Sequence, residues 1–375
     1  MIYLDHNATT PVLPDVFEAM RPYFCDEWGN PSSAYRFGSK LKRIIGAARE
    51  QVADLVGALP EEILFTSCAT ESNNAAIQSV LKSNPAKRHI ITSAVEHSSV
   101  LNHCQALEKE GYRVTYLPVD RDGILNMTDL ENALNDQTAV VSLMWANNET
   151  GVLFPVEKIA VVCQSKGVLL HCDAVQAVGK VPIDVTRVHV DYLTISAHKI
   201  FGPKGVGALF IRRNVLFSPM LLGGHQENER RGGTENVPLL VGFGRAADLV
   251  RKEFSERVEK CLISRNYLEK TILAHVPKTT INGCRDNRIS TTSNIHFSGV
   301  DSDALVTFLD ARGICVSSGS ACISNAIAPS HVIFAMTGSI EKAKQSIRFS
   351  ISHTTTRSEV DSVVNELKLA CQHLE

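Results

Sequence analysis

The chain has 375 residues, 44% of them hydrophobic and 21% charged, with a formal net charge of -2. That length exceeds one minimal core and points to two domains, and the near-zero charge gives no electrostatic case for nucleic acid or an anionic membrane. No apolar stretch approaches the ~20 residues of a transmembrane helix, and Met1-Ile2-Tyr3-Leu4-Asp5 lacks the basic-then-apolar pattern of a signal peptide, so a cytoplasmic location is expected.

In chain order, a helical pattern at 11–25 comes first and is expected to pack on the second domain. From about residue 60 to 212, short apolar runs alternate with helical patterns. Strands are expected at 63–66, 89–92, 113–117, 139–144, 168–171, 192–195 and 208–211. Helices are expected between several of them, at 71–81, 100–109 and 156–166, from apolar spacings of three and four. Strands alternating with helices predict an α/β fold with a mostly parallel seven-stranded sheet covered on both faces, and a ligand beyond the carboxyl ends of the strands. After Gly223-Gly224 a glycine- and charge-rich segment, 223–236, reads as a loop. A long helical pattern at 237–276 leads to a smaller α+β region with strands at 292–297, 314–317 and 346–350 and a closing helix at 359–373. The expected division is a large domain, 15–255, and a small one made of 1–14 and 256–375.

Lys199 closes Ser196-Ala197-His198-Lys199 after the 192–195 run, and Asp173 ends the earlier run Gly167–Asp173. A lysine after one strand and an aspartate at the end of another suit pyridoxal 5'-phosphate. The lysine can hold the aldehyde as a Schiff base, and the aspartate can keep the pyridine nitrogen protonated. Thr66-Ser67-Cys68-Ala69-Thr70-Glu71 follows a strand and opens a helix. Thr70 and the free amides there form either an anion cradle or an ordinary helix cap. The lysine–aspartate pair downstream favours the cradle. His97, beyond the 89–92 run, reads either as a ring that stacks on a cofactor and moves protons or as a surface histidine before a helix. Asn148, in Ala146-Asn147-Asn148-Glu149-Thr150-Gly151, could bond a phenolic oxygen or a substrate carboxylate, or could only shape a turn. Lys204, in Pro-Lys-Gly, reads as a turn position. His171, Cys172 and Asp173 are adjacent strand residues that point to opposite faces, and no metal is expected.

Arg230-Arg231-Gly232-Gly233-Thr234 suits phosphate contact, or is a plain surface loop. Arg348, in the alternating run Ser346-Ile347-Arg348-Phe349-Ser350, could clamp a carboxylate or face solvent. Ten cysteines are scattered without a Cys-x-x-Cys pair, so neither a zinc site nor a disulfide framework is expected. Most sit in apolar contexts, but Cys322 lies in Ser317-Ser318-Gly319-Ser320-Ala321-Cys322, among small and polar neighbours that suit a moving thiol.

Taken together these strings resemble the class V aminotransferase-like family of fold-type I pyridoxal-phosphate enzymes, and within it the cysteine desulfurases of the NifS/IscS type. The resemblance runs nearly the whole length, from Tyr3-Leu4-Asp5-His6-Asn7-Ala8-Thr9-Thr10 and Gly29-Asn30-Pro31-Ser32-Ser33 to Ile347-Arg348-Phe349-Ser350. The long small-residue stretch around Cys322 is similar to the group with a long, mobile cysteine loop. Trp145-Ala146-Asn147-Asn148, Cys68 and Gly223-Gly224-His225-Gln226-Glu227 lean to the nitrogen-fixation branch. Two departures stand out. Ala328 precedes Pro329 where the family more often has an acidic residue, and the last helix is not followed by the longer extension of housekeeping members.

The resemblance implies conversion of L-cysteine to L-alanine, with sulfur left as a persulfide on Cys322 and passed to an iron–sulfur scaffold or another acceptor protein. It implies that Lys199 carries the cofactor and takes the α-proton, that Asp173 faces the ring nitrogen, and that His97 stacks on the ring. Gln176 and Asn148 would bond the phenolic oxygen. Ala69, Thr70, Ser196 and His198, with Thr234 from a partner subunit of a homodimer, would hold the phosphate, and Arg348 the substrate carboxylate. A selenocysteine lyase and a catalytically silent scaffold are the alternatives. The presence of Cys322 argues against the first, and that of Lys199 and Cys322 against the second.

Overall fold

The apolar runs between residues 63 and 211 form one sheet. The computed structural model describes residues 1–319 and 329–374. Its strands are β1 (Ile2–Tyr3), β2 (Ile63–Thr66), β3 (His89–Ser93), β4 (Arg113–Leu117), β5 (Thr138–Met144) and β6 (Leu169–Asp173). They continue with β7 (Tyr192–Ser196), β8 (Gly207–Ile211), β9 (Thr279–Asn282), β10 (Thr292–Phe297), β11 (Ile314–Cys315) and β12 (Ser346–Ser350). The large sheet has the order β2-β8-β7-β6-β5-β3-β4 and is parallel except for β8. The chain between β7 and β8 is too short for a crossover, which needs a dozen or more residues, so β8 returns antiparallel. Every residue of β2, β3, β5, β7 and β8 is buried, which is why these strands read as largely apolar runs with no charged residue.

One face of the sheet packs on the helices Leu41–Val56 and Val237–Lys252 through Val52, Phe65, Ile195 and Phe243. The other packs on the helices Ala69–Ser83 and Ser98–Lys109 through Ile77, Val80, Val100 and Leu209. A separate core holds Leu268, Ile295, Leu305, Ile347, Phe349 and Val363. Around it the sheet β12-β10-β9 is antiparallel, and β1 pairs in parallel with β11. An isolated bridge joins Asp5 to Ser350.

Two expectations are corrected. The helical pattern at 237–276 is two helices, Val237–Lys252 and Phe254–His275, parted at Glu253 where φ is -102° and ψ 12°. The break lets Phe243 and Val250 stay in the sheet core while Cys261, Leu268 and Ile272 turn to the separate core. The first helix, Pro14–Met20, packs on the Val237–Lys252 helix and not on the second region. Val16 and Met20 share a core with Leu240 and Phe243, and a Cβ at Gly242 would meet the Met20 sulfur at 2.5 Å, so glycine admits the contact. Among the described residues no helix is long and apolar enough to cross a membrane.

Candidate active site

Strands β3, β5, β6 and β7 are parallel, so the segments that follow them emerge at one end of the sheet. Between those segments lies a cavity of about 250 Å³ lined by Ala69, Thr70, His97, Asn148, Asp173, Gln176, His198 and Lys199. These eight expected residues come from five different places in the chain.

Asp173 is the last residue of β6, paired with Met144 of β5, and not the first residue beyond a strand. It is buried, and both of its oxygens are held. Asn73 Nδ2 donates to Oδ2 at 2.8 Å and the Val175 amide to Oδ1 at 3.0 Å. Lys199 ends a single turn, Ala197–Lys199, directly after β7. Its Nζ donates to the Asn7 carbonyl at 2.5 Å and the Ala8 carbonyl at 2.8 Å. Lys204, by contrast, is exposed and does not line the cavity.

His97 stands before a helix and also faces the cavity. It caps the Ser98–Lys109 helix, its Nδ1 accepting from the Ser99 amide at 3.2 Å, and it lines the cavity. Burial lowers its pKa, with Lys199 and His331 acting the same way and Asp173 opposing them. In the neutral ring with Nδ1 accepting, the proton sits on Nε2. In the 146–151 segment Asn147 does the turn's work, its Oδ1 accepting from the Glu149 and Thr150 amides at 2.9 Å. That leaves Asn148 to face the cavity with its buried Oδ1 lacking a partner among the described residues. Gln176 donates to the Asn7 carbonyl at 2.9 Å and accepts from Lys180 Nζ at 2.6 Å.

The residues present fit pyridoxal 5'-phosphate. The Ala69–Ser83 helix starts at the cavity with no side-chain cap from Cys68, so its first amides are available to an anion. Its first-turn acid, Glu71, is occupied by Ser67 and Arg231. The buried Ser196 Oγ has no partner among the described residues. His198 is depressed to about 4 by burial and by the lysines at 199, 204 and 180, surroundings that favour an anion. The buried Asp173 carboxylate suits a protonated ring nitrogen, and the amine of Lys199 suits the aldehyde. Among the described residues no group of side chains could hold a metal ion.

Other expected residues lie elsewhere. Arg348 is buried, which removes its exposed-strand reading. It donates to Asp5 Oδ1 at 2.7 Å and to the Asn148 carbonyl at 3.2 Å, beside the cavity without lining it. Thr234 is exposed and lines a separate depression with Phe65, Ser67 and Arg231. Cys322 lies outside the described residues. The sequence reading missed Asn7, Asn73, Glu96 and Lys180. Asn7 stood inside a string singled out as a whole, Asn73 lies two residues beyond the string that ends at Glu71, and Lys180 follows Gln176 by one helical turn's spacing. Glu96 is fully buried, accepting from Ser93 Oγ at 2.7 Å and the Met144 amide at 3.0 Å, and burial pushes it up to about 8.

Residues 2–363 match the class-V aminotransferase family. A cysteine desulfurase of Nostoc sp. is 50% identical over 364 residues, 97% of this chain and 91% of the relative. The solved structure of a NifS-like protein superposes with a TM-score of 0.94 at 36% identity, covering 100% of both chains. The structure of SspA in complex with cysteine superposes with a TM-score of 0.84 at 36% identity, covering 95% of this chain and 100% of that one.

Proposed function

The chain belongs to the class-V aminotransferase family, and from that premise we propose how its cavity works as the site of a pyridoxal-phosphate-dependent cysteine desulfurase. The observation that carries the reading is the meeting of Lys199, Asp173, His97 and the Ala69–Ser83 helix start around one cavity. When bound, pyridoxal phosphate supplies an aldehyde and an electron-accepting ring. Lys199 would hold the cofactor through the aldehyde, and its amine is the base that would take the α-proton of L-cysteine. Asp173, fixed by Asn73 and Val175, keeps a positive charge at the ring nitrogen. His97 covers the ring face, and its Nε2 proton is available for transfer. Gln176 and Asn148 bond the phenolic oxygen. The amides of Ala69 and Thr70, the hydroxyls of Thr70 and Ser196, and His198 hold the phosphate, with Thr234 reaching in from the neighbouring subunit of a homodimer. Arg348, steadied on one edge by Asp5, receives the substrate carboxylate, and Asn148 borders the same place.

Cys322 attacks the substrate sulfur as a thiolate. The C–S bond of cysteine breaks, its electron pair stays with carbon, and protonation there gives L-alanine and a persulfide on Cys322. The persulfide sulfur passes to an acceptor protein in the cytoplasm, an iron–sulfur scaffold in our reading, with nitrogenase maturation as the branch its motifs favour. The expected division into 15–255 and into 1–14 with 256–375 has partial support from the two cores: Leu4, Leu268, Ile295, Ile347 and Val363 share the smaller one, while Ile289, Val332, Ile333 and Met336 pack in the larger. Neither a selenocysteine lyase nor a silent scaffold is favoured, since the similar Nostoc protein is a cysteine desulfurase. The test is the Cys322→Ser variant given L-cysteine. It should keep the visible absorbance of the bound cofactor and release no sulfide or persulfide sulfur. Near-normal desulfuration by that variant would sink the mechanism.

A further inference from the structure

A second cavity, of about 40 Å³, adjoins the first. Lys199 lines both, and the second is walled by Lys180, Arg257, His6, Ser290 and Cys261. It lies where the Phe254–His275 helix meets the segment before β7, between the two cores. Its volume admits roughly one to three water-sized groups and no amino acid.

Its polar chemistry is one-sided. Among the described residues that line it, none is acidic. Arg257 is buried. Its Nε and Nη2 donate to Glu253 at 2.9 and 2.7 Å, while Nη1 has no partner among the described residues. His6 and Ser290 are buried too, and His6 Nδ1 and Ser290 Oγ are likewise without partners among the described residues. Among the described residues, Lys180 Nζ donates to two uncharged oxygens, Gln176 Oε1 at 2.6 Å and Asn7 Oδ1 at 3.4 Å. Burial and the neighbouring Lys199 bring Lys180 down to about 7. Burial holds the Cys261 thiol up at about 11, so it stays neutral and supplies no counter-charge. A half-buried ammonium with no ion partner among the described residues, and three unpaired polar atoms around one small space, call for an anion with several donors to meet.

We propose that this cavity binds a small monoanion of halide size, held by Arg257 Nη1, Ser290 Oγ and Lys180 Nζ. The anion is the missing counter-charge for Lys180. Because Lys180 also fixes the Gln176 amide, occupancy of the small cavity bears on the geometry of the large one. Nothing in the desulfuration chemistry requires this site, so it stands apart from that reading.

The probe is bromide. Crystals of the holoenzyme grown in gluconate and soaked in sodium bromide should show one anomalous peak within hydrogen-bond distance of Arg257 Nη1. In solution at constant ionic strength, replacing gluconate, which is too large to enter, by bromide should raise the melting temperature of the holoenzyme saturably. At tenfold excess over the dissociation constant the rise is on the order of 1–3 °C. Ser290→Ala should raise the half-saturating bromide concentration about tenfold, and Arg257→Gln should abolish both peak and shift. If Arg257→Gln does not fold, the Ser290→Ala titration decides alone. An empty anomalous map, equal melting in bromide and gluconate, an unmoved half-saturation in Ser290→Ala, or a peak with no saturable shift, meaning binding at crystal concentration only, would each overturn the site.

Discussion

Single side chains decide three tests. Lys199→Ala should abolish turnover, and borohydride reduction of the native holoenzyme followed by peptide mapping should place the pyridoxyl group on Lys199. Label on Lys204, or on Lys180 in the neighbouring cavity, would overturn the assignment. Arg348→Ala should weaken L-cysteine roughly a hundredfold while cofactor stays bound, the loss expected when a charge-assisted pair goes. Titrating the visible absorbance with L-cysteine in a Cys322→Ser background measures it, and an unchanged dissociation constant would leave Arg348 only as the partner of Asp5. Glu96 gives a pH test. Its folded pKa, about 8, lies above its unfolded value, so its contribution to stability is complete below the ordinary carboxyl range and is lost as pH rises toward 8. Glu96→Gln keeps an acceptor for Ser93 and Met144 and removes the ionisation. Melting temperatures measured from pH 5 to 8.5 should fall less in the variant than in the parent, and parallel curves would refute the assignment.

Elements were legible to different degrees, for physical reasons. The sheet strands announced themselves because burial on both faces leaves no polar alternation. The direction of β8 and the break at Glu253 depend on what each segment packs against, which local pattern does not carry. The cavity residues were readable where they end or follow a strand, as with Asp173, which ends one, and His97, Asn148 and Lys199, which follow one. Those that act through a neighbour, Asn73 and Lys180, have no such mark. The 223–236 loop was expected to be a polar, flexible loop, yet it is pinned. Arg49 clasps the buried Glu227 through two bonds of 2.7 and 2.6 Å, and the Phe65 amide donates to the same carboxylate at 2.9 Å. Three successive residues, Glu227, Asn228 and Glu229, hold positive φ of 49°, 55° and 64°, a conformation such residues avoid unless contacts impose it. Arg49→Leu leaves that carboxylate buried without its bidentate partner, so about 3 kcal/mol of stability should go. Denaturant unfolding measures the loss, and hydrogen exchange should quicken first across 223–236. A loss below about 1 kcal/mol would show that the Phe65 amide suffices.

At the scale of the whole molecule, the site is proposed to be shared between two copies, because Thr234 is exposed and turned from its own chain's cavity. Mixing inactive Lys199→Ala subunits with inactive subunits lacking residues 231–234 should restore part of the activity, since one site in the mixed dimer then has an intact lysine and an intact loop. A monomer by sedimentation, or no recovery despite demonstrated subunit exchange, would reject sharing. The way β1 pairs with β11, and Asp5 with Ser350, also has a consequence for the order of assembly. Asn7 and Ala8, whose carbonyls receive Lys199, are held in place by that pairing and by the bond from Asn7 Nδ2 to Thr292. During synthesis the segment that carries them leaves the ribosome on the order of 15–60 s before its partner strands exist, at ordinary elongation rates. The large sheet can form in that interval, but the floor under Lys199 cannot. The cofactor pocket is therefore among the last parts of the protein to mature, and a nascent chain stalled before residue 314 should carry a folded sheet that does not retain pyridoxal phosphate.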